Sequence, residues 1–322
     1  MATDDGVAVC ERTTSGFRLL SHSLTGHAVT SVVAREGVIL AGTRDGIYRS
    51  NDAGLTWEAA DEGLGIRLVR WMAFHPDISD REFAGTEPAG VFVSHDGGGS
   101  WRSCPEVVEM RDRGKWFLPY SPEAGCVRGF AFSGDRVYAA VEVGGVLRSD
   151  DRGETWRLVP GASGRGILDA VSAPFVHSDV HSIAVPPSHP DHVLAATAEG
   201  LYLSTDGGVN WTVTQAGSYC RAVWVDPADA GRIVLGPAAS VVRKNGRIEE
   251  THDGGRTWRS ASAGLDLPWP DTMVERFTQV GPDLFAVTND GQLYVSPATG
   301  RMTWTRVLAG EVESIAAVAA IR

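Results

Sequence analysis

Seven residues at equivalent places in short apolar runs carry most of the chemistry open to this chain: Thr30, Arg70, Arg128, His181, Arg221, Glu275 and Glu313. Each stands second in a segment opening at Val29, Val69, Val127, Val180, Cys220, Val274 or Val312. The charges are segregated, with Arg, Arg, His and Arg in succession and then two Glu. If the segments surround one axis, three guanidiniums converge on one cavity and can hold a carboxylate or phosphate through paired N–H bonds. Arg70, Arg128, His181 and Arg221 are then candidate ligand-binding groups, and Glu275 and Glu313 the candidate catalytic acid and base. The same residues read equally as Arg–Glu pairs that plug the axis. Trp116, Phe117, Tyr120 and Trp269 lie in long connections, where they either anchor a loop or wall a sugar-like ligand. His177-x-Asp179-x-His181 sets three potential metal ligands on one face of an extended segment, because side chains alternate with period two. That pattern allows a divalent metal; no other cofactor is implied.

What must position these residues is an internal repeat. Its copies begin Ser50-Asn51-Asp52, Ser94-His95-Asp96, Ser149-Asp150-Asp151, Ser204-Thr205-Asp206 and Thr251-His252-Asp253, and end at Trp57, Trp101, Trp156, Trp211 and Trp258. A copy one residue longer runs from Ser296 to Trp304. Asp caps the N–H groups of its own turn, Gly tolerates positive φ, and Trp opens the return strand and buries its ring between sheets. With no sustained helical period, the pattern predicts an all-β chain built as one closed array.

The boxes resemble the Asp-box (S-x-D-x-G-x-T-W) of the BNR repeat family, found in sialidase-like, sortilin-like and photosystem II assembly factor-like propellers. The resemblance implies a β-propeller whose boxes lie away from the ligand face. Sialidases of this family are six-bladed with an Arg-Ile-Pro motif, which this sequence lacks. Arg70, Arg128 and Arg221 therefore match the sialidase carboxylate clamp by position only, and Tyr219 is the one tyrosine placed to stand for its nucleophile.

Laid on the repeat, the chain is a single domain, 1–322, of seven four-stranded blades. They span about 29–62, 67–107, 127–160, 180–215, 219–262 and 274–308, with a composite of 6–20 and 311–322. In the composite, N-terminal strands c and d pair with the C-terminal strand a, closing the ring and removing sheet edges. The long connections 103–125, 160–179, 237–250 and 261–272 all open on one face, which places the site there.

A net charge of −11 and a pI near 5.3 disfavour nucleic acid and anionic membranes as partners. The N-terminus lacks a signal region, and the four cysteines show no C-x-x-C spacing, so a cytoplasmic protein with reduced thiols is expected. Cys104 and Cys126 bracket one long loop and are the pair an oxidising compartment could bridge. The reading is a propeller that binds a small anionic, carbohydrate-like ligand at its channel mouth, extending to a glycosyl hydrolase-like enzyme. A protein-interaction scaffold gripping a partner on the long-loop face, and a metal-dependent lyase, stand as alternatives.

Overall fold

The computed structural model describes residues 1–14, 16–117, 125–162, 174–308 and 315–321. It is a seven-bladed β-propeller of antiparallel sheets, each running in order from the channel to the rim. The inner strands of blades 1 to 6 are Val29–Arg35, Val69–Phe74, Val127–Ser133, Val180–Ala184, Tyr219–Val225 and Val274–Val280. Blade 7 combines Ala2–Thr3, Gly6–Thr13 and Gly16–Ser23 with the C-terminal segment at 315–318.

Ring closure therefore uses a short strand b, Ala2–Thr3, that the sequence reading leaves out. Ala2 donates its N–H to the Ala317 carbonyl (2.8 Å) and accepts from the Ala316 N–H (2.9 Å). Thr3 bonds the Gly6 carbonyl as Thr43 bonds that of Gly46, so Ala2 corresponds to Gly42. Gly42 pairs with Ser31, which makes Ala317 the counterpart of Ser31 and Ala316 that of Thr30. The C-terminal strand thus sits three residues later than the sequence register predicts, and Ala316 rather than Glu313 holds the ring position. A run of small apolar residues carries no polar mark that would pin register. Glu313 itself lies outside the described residues.

The repeat turns show why their residue types recur. In all five, the first hydroxyl accepts the N–H of the fifth residue, at 2.8–3.0 Å. The Asp takes the N–H of the seventh residue on Oδ1 at 2.9–3.0 Å and its side chain on Oδ2 at 2.6–2.8 Å. The Trp rings pack between sheets: Trp101 donates to the Ala60 carbonyl and Trp304 to that of Ala261, each in the preceding blade, at 2.8 Å. Around the channel, strand b carries a small residue where the next inner strand presses in. A Cβ on Gly85 would lie 2.5 Å from Val127 Cγ1, and one on Gly236 2.6 Å from Val274 Cβ. Those contacts set the close blade spacing that brings the inner-strand side chains together.

Among the described residues one helix, Pro105–Gly114, forms within the long connection after blade 2, where the sequence reading expects a loop. Pro opens it, Glu106 lies in its first turn, and Lys115 ends it in a left-handed conformation. Val107 is its one buried residue, so too little of its surface is apolar for an amphipathic period to show in the sequence. Glu106 fixes the helix against blade 3 by accepting the Trp156 N–H at 2.8 Å.

Candidate functional site: the channel mouth

Every inner strand of blades 1 to 6 is bulged just after its entry residue. A bulge puts two residues opposite one and re-aims the side chains at that point. Here it turns the ring residue of blades 1, 2, 3, 5 and 6 and, in two blades, its successor toward the axis. The outcome is a cavity of about 450 Å³ lined by Thr30, Arg70, Trp71, Arg128, Arg221, Glu275 and Arg276, with Ala316 closing the ring. The b–c turns add Asp4, Arg44 and Asp290 at the rim. Five arginines and three carboxylates line it, with Glu87 and Glu142 paired to Arg70 and Arg128 from behind, so the mouth is densely charged.

The charges are organised around Glu275. Its Oε2 accepts from Arg128 Nη2 at 2.9 Å, and Oε1 is bonded by Arg221 Nη1. Burial would push the Glu275 carboxyl up, but the two guanidiniums prevail and hold it below the usual carboxylate range. An acid so firmly ionised has no proton to give at neutral pH, so Glu275 is placed as an anchoring anion rather than as the expected acid. Arg128 also takes Glu142 Oε2 at 3.1 Å, and Arg70 pairs with Glu87 at 2.6 Å. The interlocked pairs expected of a plugged axis are therefore present, yet they line an open cavity.

Arg276 is different. Among the described residues it has no carboxylate in ion-pair range; its guanidinium lies 3.5 Å above the centre of the Trp71 ring. Burial, and then repulsion from Arg128, lower its pKa to about 9 despite the opposing pull of Glu275. Neither Arg276 nor Trp71 belongs to the expected site. Strict alternation points each away from the residue before it, and the bulge that overrides alternation has no mark in the sequence.

Other expected site residues fall elsewhere. Trp116, 1% exposed, is packed in the core of blades 2 and 3. Trp269, 8% exposed, is buried against Tyr294. Both are loop anchors and neither walls the cavity; Tyr120 lies outside the described residues. Phe117 is exposed, away from the cavity lining. His181 is fully buried behind the ring and not on it. Its Nδ1 lies 2.8 Å from the Cys220 carbonyl and its Nε2 3.2 Å from the Tyr219 hydroxyl. Tyr219 in turn accepts from Arg221 Nε and Nη2 at 3.3 Å, which makes it a link in the network, and burial raises its pKa.

The expected metal triad is also rearranged. His177 does not join His181: its Nδ1 accepts the Asp179 N–H at 3.1 Å, closing a local turn. Asp179 and His181 instead meet Glu142 of blade 3, with one ligand atom from each lying within 4.8 Å of the others. Cys104 and Cys126 are buried free thiols, and Cys126 donates to Glu142 Oε2 at 3.1 Å.

A closed ring of seven sheets around a charged, open mouth defines the class: a seven-bladed β-propeller. No protein-family model matches the chain. It is 26% identical over 274 residues to the oligoxyloglucan-reducing end-specific xyloglucanase of Emericella nidulans, covering 70% of this chain and 32% of that protein. Among solved structures it resembles the GH74 xyloglucanase from Xanthomonas campestris, with a TM-score of 0.65 and 18% identity, over 87% of this chain and 45% of that one. It also resembles YCF48 bound to D1 peptide, with a TM-score of 0.58 and 13% identity, over 88% of this chain and 82% of that one. The chain thus spans about a third of the curated xyloglucanase and less than half of the Xanthomonas enzyme.

Proposed function

We propose that the channel mouth binds a small anionic ligand of carbohydrate type, its acid group held by Arg276 and its ring seated beside Trp71. The observation that carries this is Arg276, a half-buried guanidinium stacked on an aromatic face beside an open cavity with no carboxylate of its own. An uncompensated cation in a partly desolvated site gains most from a ligand anion. Arg128, Arg221 and Glu275 form the rigid base of the site, since each is bonded before any ligand arrives. The likeness to xyloglucan-cleaving propellers supports a glycan as the ligand, and a uronic acid unit satisfies both the ring and the charge. Cleavage of such a glycan would need an acid other than Glu275. Asp4 and Asp290 are the remaining carboxylates at the cavity.

The test is a thermal-shift and calorimetric series with glucuronate, galacturonate, sialic acid and neutral xyloglucan oligosaccharides, on wild type, Arg276→Gln and Trp71→Ala. A uronate should raise the melting temperature of wild type alone. Equal shifts in wild type and Arg276→Gln would overturn the assignment. A second reading, a protein-interaction scaffold, is supported by YCF48, most of whose length this chain matches and whose structure holds a peptide. It expects acidic peptides, and no sugar acid, to give the shift.

A further inference from the structure

Behind the channel wall, between blades 3 and 4, lies a second cluster that the cavity does not use. Glu142 is 3% exposed, Asp179 4% and His181 1%. The hydrogen bonds assign the protons. The Tyr219 oxygen accepts from Arg221 Nε and Nη2 at 3.3 Å, so its own hydroxyl proton points to His181 Nε2 at 3.2 Å. His181 Nδ1 faces the Cys220 carbonyl at 2.8 Å, and a carbonyl can only accept, so Nδ1 carries the ring proton. His181 Nε2 therefore carries a lone pair, which the Tyr219 hydroxyl engages and which a bound ion would take over from it. Yet Asp179 Oδ1, buried and with no hydrogen bond, stands 3.2 Å from it. Two acceptors face each other in a dry site, an arrangement that is unfavourable unless something positive lies between them.

We propose that Glu142, Asp179 and His181 form a binding site for a divalent first-row metal ion of the zinc class. Three features of the chemistry agree. An imidazole nitrogen with two carboxylates suits Zn²⁺ better than Mg²⁺ or Ca²⁺, which take oxygen ligands almost exclusively. Bonds of about 2.0–2.2 Å in a tetrahedron set ligand atoms about 3.3–3.6 Å apart, close to the 3.2 Å between Asp179 Oδ1 and His181 Nε2. Metal-bound histidines commonly donate their other N–H to a carbonyl, as Nδ1 does here to Cys220. Glu142 completes the set from the neighbouring blade, with its ligand atom within 4.8 Å of the other two, and closes in by about an ångström to bind. Arg128, which bonds Glu142 at 3.1 Å, remains compensated by Glu275 at 2.9 Å. The ion would pin the inner strands of blades 3 and 4 beside the mouth, independently of any ligand there.

The test is metal content and binding on the full chain. After chelation and dialysis, zinc is returned and counted by elemental analysis, Co²⁺ is titrated for the visible bands of a low-symmetry site, and the His181 ring nitrogens are followed by NMR. One ion per chain, lost in Asp179→Asn and in Glu142→Gln with the fold retained by circular dichroism, and a metal shift at Nε2 with Nδ1 still protonated, are expected. If a variant fails to fold, the NMR signature of wild type decides alone. Absence of stoichiometric metal, with His181 protonated on both nitrogens, would overturn the proposal, because a proton would then occupy the space between Nε2 and Asp179.

Discussion

Replacing Glu275 by Gln leaves its volume almost unchanged and removes one charge, so it isolates what the central carboxylate does. In the structure that carboxylate is bonded by Arg128 and Arg221 at once, and all three side chains are mostly buried, at 15–19% exposed. Removing one partner of a fully buried pair costs about 3–5 kcal/mol. Residual exposure, together with the contacts Arg128 keeps with Glu142 and Arg221 with Tyr219, argues for the lower end, about 3 kcal/mol. An unfolding entropy of about 2.1 cal/mol/K per residue over 322 residues converts this to a fall of about 4–5 °C in melting temperature. The variant also leaves two more guanidiniums undercompensated beside Arg276, so an added anion should recover part of the loss. At a hundred times its dissociation constant, a ligand specific to the native state returns about 2.7 kcal/mol. Differential scanning fluorimetry of wild type and Glu275→Gln, with and without glucuronate or phosphate, measures both numbers. A variant as stable as wild type, or a loss that no anion relieves, would refute the argument that Glu275 balances a cavity built to attract negative charge.

Acid should weaken the fold through groups on both faces. Hydrogen bonds from the Thr56 side chain and backbone lower the Asp52 pKa to about 2, and Asn210 does the same for Asp206. A lowered folded-state pKa adds stability above the unfolded value near 4, lost as pH falls toward 2; Glu275 acts in the same direction, so urea midpoints should drop between pH 4 and 2. Glu82 is the opposite case. Buried with no hydrogen bond to either oxygen, it is pushed up to about 7, so its contribution is intact below pH 4.5 and declines as pH rises through 7. Glu82→Gln should therefore stabilise the protein at pH 8 by up to about 3 kcal/mol and do little at pH 4, a difference that chemical denaturation at the two pH values can read. Ser149→Ala removes the acceptor of the Gly153 N–H and should cost about 1–2 kcal/mol by the same denaturation measurement. Gly153→Ala should cost more, because φ is +89° there and the added Cβ would lie 2.2 Å from Phe83.

The repeat was legible because each box is a local device. Ser149, Asp151, Gly153, Thr155 and Trp156 satisfy one turn almost entirely among themselves, so the turn chemistry, and from its recurrence the propeller, follows from residues a few places apart. The ring position was legible for the same reason in five blades, where Thr30, Arg70, Arg128, Arg221 and Glu275 follow a buried Val or Cys; in blade 4 His181 follows Val180 but lies behind the ring. In the seventh it was lost, since nothing in an Ala-rich segment distinguishes one register from the next until Ala2 bonds Ala317 across the length of the chain.

Which charges stand alone and which are paired was decided by tertiary structure. Arg128 on blade 3 and Arg276 on blade 6 are the same residue type and line the same cavity. One bonds carboxylates from blades 3 and 6, and the other, with no ion pair among the described residues, stacks on the face of Trp71 from blade 2. The bulges at the strand entries, the seating of Trp116 and Trp269 in cores, and the meeting of Glu142 with Asp179 and His181 all depend on how neighbouring blades press together. Sequence by itself determined the repeat, the turn chemistry and the closed β architecture, because those rest on contacts within a blade. The pairing of charges at the channel mouth was settled between blades, where partners are far apart in sequence and electrostatics depends on ångström-scale distance and on the exclusion of water.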